Sequence, residues 1–203
     1  MTYQISVKAI LLFLVVLWSG FAVFGATDQP TLYVRTEAGP AFLNTLRADY
    51  GIGHFDEPTD VGTRVDLTLG YRLTSSLAAE LNGGMVWNKL LDMAQHDFYQ
   101  VPVMANLVWK PAYGRLAPFV GAGAGGVDLI LVPHGFSLPT ETHFVFGAQA
   151  FAGVGYRLTR ACELGLSYRF LGAASENFRN GGGTIRVGPA FTQAIQAEFT
   201  FAF

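Results

Sequence analysis

Arginines and carboxylates recur on one side of alternating segments along this chain, and they are its most chemically capable groups. The set comprises Arg35, Arg64, Arg72, Arg157, Arg169 and Arg186 against Glu37, Asp66, Glu80, Glu163 and Glu198, six bases to five acids. Such a set suits buried ion pairs, a charged path for a solute, or an acid–base site. Near balance favours the first, because an unpaired charge in an enclosed space costs several kcal/mol. The four histidines (His54, His96, His134, His143) fall between the segments, beside Asp49, Asp56, Glu57, Asp60, Asp92, Asp97 and Glu141. Imidazole and carboxylate suit metals. No H-x-x-x-H spacing occurs, so neither metal nor cofactor is expected. Gly121-Ala122-Gly123-Ala124-Gly125-Gly126 lacks the Lys-Ser/Thr of a phosphate-binding loop. Its inward glycines make room for larger side chains opposite, such as arginines.

The elements that must carry these residues read as eight strands. They run Leu32 to Phe42, Thr63 to Leu73, Leu77 to Trp87, Phe98 to Lys110, Pro118 to about Val127, Phe144 to Leu158, Cys162 to Leu171, and near Thr184 to Phe203. A period of two sends Val65, Leu67, Leu69 and Tyr71 to one face and Arg64, Asp66, Thr68 and Gly70 to the other. The last strand sets Ile195, Ala197, Phe199, Phe201 and Phe203 against Gln196, Glu198, Thr200 and Ala202. Water gives no reason to expose three phenylalanines on one face, whereas lipid does. Connections alternate long and short: Asn44 to Val61, then Thr74-Ser75-Ser76, Asn88 to Asp97, Pro111 to Leu116, Asp128 to His143, Thr159-Arg160-Ala161, and Gly172 to Gly183. Short turns on one side and long loops on the other are the habit of an up-and-down barrel crossing the outer membrane, short side to the periplasm. The predicted fold is therefore an all-β, eight-stranded antiparallel transmembrane barrel.

Composition agrees. The 203-residue chain is about half apolar, with 14% charged residues and 24 glycines. Its one continuous apolar stretch, Ala9 to Phe24, follows Lys8 and precedes the small residues around Gly25 and Ala26. This reads as a cleaved signal over residues 1–26, with cleavage after Gly25 or Ala26 and the barrel domain over 27–203. A retained N-terminal anchor helix is the alternative. A net charge of −2 argues against nucleic acid, and a single cysteine, Cys162, excludes an intramolecular disulfide. Gly70-Tyr71-Arg72-Leu73-Thr74 recurs as Gly155-Tyr156-Arg157-Leu158-Thr159, each copy ending a strand before a tight turn. Its tyrosines, with Trp109 and Phe203, form one aromatic girdle, and Trp87, Tyr99, Phe144 and Phe170 form the other.

Three stretches resemble the small outer-membrane β-barrel family that includes the opacity-type proteins and the barrel of outer membrane protein A. They are Val101-Pro102-Val103-Met104-Ala105-Asn106-Leu107 with Ala117-Pro118-Phe119-Val120-Gly121-Ala122-Gly123; Gly147 to Thr159; and Glu163 to Phe170 with the terminal Phe203. The resemblance implies a Gram-negative outer-membrane location among lipid and lipopolysaccharide. It further implies that Phe199, Phe201 and Phe203 form an insertion signal for the barrel-assembly machinery. It supplies no catalytic residues. The expected function is non-enzymatic: a monomer presenting four extracellular loops to an unknown ligand, for adhesion or envelope stabilisation. Wall anchoring through a peptidoglycan-binding domain after the barrel is not expected. A narrow pore for small solutes is the first alternative and a lipid A-modifying enzyme the second. The enzyme is disfavoured because ester hydrolysis needs a base beside the nucleophile, and no His lies within two residues of a Ser, His134 and Ser137 being nearest.

Overall fold

A computed structural model of the chain describes residues 32–49, 54–90, 97–111, 113–132, 141–180, 183–187 and 189–203. The signal segment 1–26, His96 and His134 lie outside the described residues. Strands run as β1 (Leu32–Leu43), β2 (Leu46–Asp49), β3 (His54–Glu57), β4 (Gly62–Arg72), β5 (Leu77–Lys89), β6 (Asp97–Trp109), β7 (Leu116–Val132), β8 (Glu141–Arg157), β9 (Cys162–Ala173), β10 (Glu176–Asn180), β11 (Gly183–Val187) and β12 (Ala190–Ala202).

Eight of these close into an antiparallel barrel in the order β1-β12-β9-β8-β7-β6-β5-β4, with β1 pairing back onto β4. Closure leaves no barrel edge, which a sheet facing hydrocarbon requires because nothing there satisfies a free N–H. Prolines cost the ladder donors locally. The β1–β12 register breaks at Gly39 and Pro40, and the β5–β6 register breaks opposite Pro102.

Three tight connections lie at one end. In two of them the repeated threonine closes the turn. Thr74 Oγ1 accepts from the Leu77 N–H at 3.0 Å, and Thr159 Oγ1 from the Cys162 N–H at 2.9 Å. The third passes through Gly114, whose φ of 63° suits glycine. The long connections lie at the other end, and two of them are not irregular. The β2–β3 hairpin and the β10–β11 hairpin join through β11–β2 into a second sheet, ordered β10-β11-β2-β3.

The observed strand pairing corrects three expectations. The last barrel strand begins at Ala190 and not near Thr184, because residues 183–187 pair with β10 and β2. Arg186 therefore stands opposite Asp49 in the second sheet and not on the barrel wall. His143 lies within β8, paired with Leu129, and His54 lies within β3, so neither is in an irregular loop.

Candidate functional site

Alternation places two different surfaces on the barrel. Outside, Val65, Leu67, Leu69, Leu81, Val103, Leu107, Val154, Leu164, Leu166 and Ile195 are all exposed. Inside, the buried side chains of the described residues are layered.

The middle layer is polar. Arg169 donates to Glu37 at 2.6 Å and to Gln196 at 3.2 Å. Gln196 donates to Asp66 at 2.7 Å, and Asp66 accepts two bonds from Arg64 at 2.7 and 3.0 Å. Arg64 continues to Gln149 at 3.2 Å, Gln149 to Asn82 at 3.4 Å, and Asn82 to Thr68 at 2.9 Å. Thr68 donates back to Glu37 at 3.2 Å. Eight side chains from β1, β4, β5, β8, β9 and β12 thus form one closed circuit across the interior. A spur leaves it through Arg35, which lies 3.4 Å from Glu37 and 2.7 Å from Glu80. Glu80 also accepts the Tyr33 hydroxyl at 2.5 Å. Glu198 faces Glu37 in register at the β1–β12 seam. Arg35, Arg64 and Arg169 are fully buried. Removing such ions from water costs several kcal/mol each, which only close pairing and satisfied hydrogen bonds offset.

Apolar layers lie above and below. Toward the long connections, Leu43, Val86, Leu90, Phe98, Met104, Val127, Leu129, Val145 and Leu171 pack with Ala41, Ala173, Ala190 and Ala194. Toward the short turns, Tyr33, Ala78, Val108, Phe119, Phe151 and Ala202 form a second cluster. The polar belt rests on this lower layer: the Arg169 guanidinium sits 4.3 Å from the Phe151 ring centroid, and Arg35 lies 5.6 Å from that of Phe119. Glycine makes the rings fit. A Cβ at Gly121 would clash with the tip of the Phe151 ring, and one at Gly153 would meet Phe119. The room created in β7 is thus taken by an aromatic ring and by the Asn106 amide facing Gly123, where arginines were expected.

Below the second cluster, Glu163 pairs with Lys110 at 2.5 Å and with Arg157 at 3.8 Å. Phe199, Phe201 and Phe203 lie on the outer face of the last strand and its end, and the Phe203 N–H donates to the Leu32 carbonyl at 2.8 Å.

This pattern of a lipid-compatible exterior and a filled, closed interior matches the outer membrane protein beta-barrel domain, whose family model covers residues 11–198. The chain belongs to that family. It is a protein of the Gram-negative outer membrane. Among solved structures, Neisserial surface protein A is similar at 16% identity, with a TM-score of 0.60 over 89% of this chain and 100% of that one. The outer membrane protein OprG from Pseudomonas aeruginosa is 14% identical, with a TM-score of 0.59 over 86% of this chain and 98% of its own. The outer membrane protease OmpT from Escherichia coli is 7% identical, with a TM-score of 0.53 over 89% and 99%. At these identities the likeness is one of fold. A comparison with curated protein sequences finds no match.

Within an outer-membrane barrel the aromatic rims take on meaning. Tyr71, Trp109, Tyr156 and Phe203 are exposed around the short-turn end. Near the opposite rim Trp87 stacks on Tyr99 at 6.4 Å and Phe170 on Phe191 at 5.8 Å. Amphipathic rings sit well at a membrane–water boundary. Reasoning from the sequence missed Lys110, Tyr33 and the bridging amides Asn82, Gln149 and Gln196 as members of the interior network. Parity was the available signal, since Lys110 continues the inward series Asn106, Val108. Among the described residues no cluster of three or more His, Cys, Asp or Glu is placed to hold a metal ion.

Proposed function

We propose that the chain is a non-enzymatic, monomeric barrel whose work is done at its surfaces: it presents its long connections outside the cell for adhesion or partner binding, or braces the envelope. The observation that carries this reading is the three-layer interior. An apolar cluster, a closed hydrogen-bond circuit and a second apolar cluster stack along the barrel and tie eight polar side chains to one another. Small barrels of eight strands have interiors that side chains can fill, and the packed layers here accord with that. What remains for a partner is the outer rim, where two connections are stiffened into one sheet.

In this reading the short turns face the periplasm, and residues 1–26 direct export and are removed. Phe199, Phe201 and Phe203 are read by the assembly machinery, and lipid and lipopolysaccharide surround the wall. Planar-bilayer recording tests the central claim. Reconstituted protein is expected to give no discrete openings. Ion-selective steps that change on Glu80→Gln or Arg169→Gln would establish the narrow pore instead. Replacing residues 44–61 by a short turn should abolish any adherence that the protein confers on a non-adherent host strain while retaining the heat-modifiable gel mobility of a closed barrel. Adherence that survives every such loop replacement would remove the presentation role. Mass spectrometry of lipid A with and without the protein checks the remaining alternative, since an altered acyl pattern would mean catalysis.

A further inference from the structure

The repeated Gly-Tyr-Arg-Leu-Thr segment does more than place two tyrosines in the short-turn girdle. In both copies the tyrosine faces out, the threonine caps the turn, and the arginine between them lies on the inward face at the last level before the turn. Arg72 ends β4 and Arg157 ends β8, on opposite walls of the barrel. Lys110, just past β6, adds a third cation. These three line one small recess at the short-turn mouth, together with Tyr33, Ser76 and Thr200.

Charge is unbalanced there. Glu163 is the carboxylate that pairs with Lys110 and Arg157. Among the described residues no carboxylate lies within ion-pair distance of Arg72. Arg72 and Arg157 line the same recess, where their like charges oppose one another and Glu163 acts on both. Tyr33 does not relieve this, because its hydroxyl points up to Glu80. Ala78 and Tyr33, which line the recess, belong to the apolar cluster that also holds Phe119, Phe151 and Val108. Three cations against one carboxylate, held at the ends of alternate strands around one recess, leave it with a net positive charge that suits an anion. Guanidinium forks suit the planar, two-oxygen edge of a phosphate or carboxylate.

We infer that the short-turn mouth binds a single oxyanion group, a phosphate or a carboxylate, clamped between Arg72 and Arg157 with Lys110 beside it. The group is carried by a small soluble molecule or by a lipid headgroup at that membrane face.

The test uses the full barrel in uncharged detergent micelles, titrated with inorganic phosphate and followed through the arginine Nε–Hε resonances. Saturable shifts are expected at Arg72 and Arg157, with smaller changes at Arg64 and Arg169. Arg72→Gln is expected to weaken phosphate about tenfold, the loss of one charge-assisted contact, and Arg72→Lys to weaken it less. Arg157→Gln provides an independent second variant, and retained heat-modifiable mobility shows that each variant is folded. No saturable shift, or a shift that both glutamine variants leave unchanged, overturns the site. Doping the micelles with phosphatidylglycerol separates the sources. If the lipid moves the same resonances and phosphate competes with it, the headgroup is the carrier; if only phosphate moves them, the ligand is soluble.

Discussion

Arg169 is the residue on which most of the interior depends. It holds Glu37, passes a hydrogen bond to Gln196 and sits over the Phe151 ring. Arg169→Met keeps much of the volume but leaves Glu37 facing Glu198 at the seam with only Arg35 in attendance. A loss of about 3–5 kcal/mol is expected, read by urea unfolding of the barrel in lipid vesicles. Adding Glu37→Gln should restore a large part of it, because the second change removes the charge that the first exposed. A single-variant loss below about 1 kcal/mol would mean that the circuit is not structural. Glycines offer a sharper contrast. A side chain at Gly121 would clash with the Phe151 ring, whereas Gly83 has nothing within 4 Å of its absent Cβ. Gly121→Leu is therefore expected to cost about 1–3 kcal/mol and Gly83→Leu almost nothing by the same measurement.

At the scale of elements, period two made the wall legible. Each barrel strand separates two environments, so Leu67, Leu166 and Phe199 reveal the outside as plainly as Asp66, Ser167 and Glu198 reveal the inside. The second sheet was hidden for the same reason. Thr184, Ile185, Arg186 and Val187 alternate as a barrel strand would, and only the Gly188-Pro189 break, a turn signal, separates them from β12. Leu46–Asp49 and His54–Glu57 are four residues each, too short for alternation to rise above chance. The interior layers were partly legible: the arginines and acids stood out, but Phe98, Met104, Phe119 and Leu171 on the same inward face did not, because a polar lumen was the expectation. The β11–β2 pairing has a direct check. Asp49→Cys with Arg186→Cys, in a Cys162→Ser background, places two thiols directly opposite in register, a spacing that a disulfide spans. Oxidation should link the two connections within one chain, seen as a cross-linked peptide by mass spectrometry. Failure to link would contradict the joined sheet.

For the molecule as a whole, the wall answers to lipid. Leu67→Arg, in the middle of β4 on the outer face, should cost about 2–4 kcal/mol in vesicle unfolding. Val61→Arg, at the end bearing the long connections, should cost about 1 kcal/mol or less, since the penalty falls toward the interface. Equal costs at both positions would argue against a membrane-embedded band. The joined sheet has a further consequence, for assembly. The β1–β12 seam unites the first and last barrel strands, so closing it forms the longest loop in the chain and is entropically the last pairing to be made. Pro40 divides that seam into two shorter runs, which makes it a slow zipper. The β11–β2 contact brings the same two ends of the barrel together from above, independently of the seam. It acts as a tether that raises the local concentration of β12 near β1, so breaking it should slow closure of the barrel far more than it lowers the stability of the finished one.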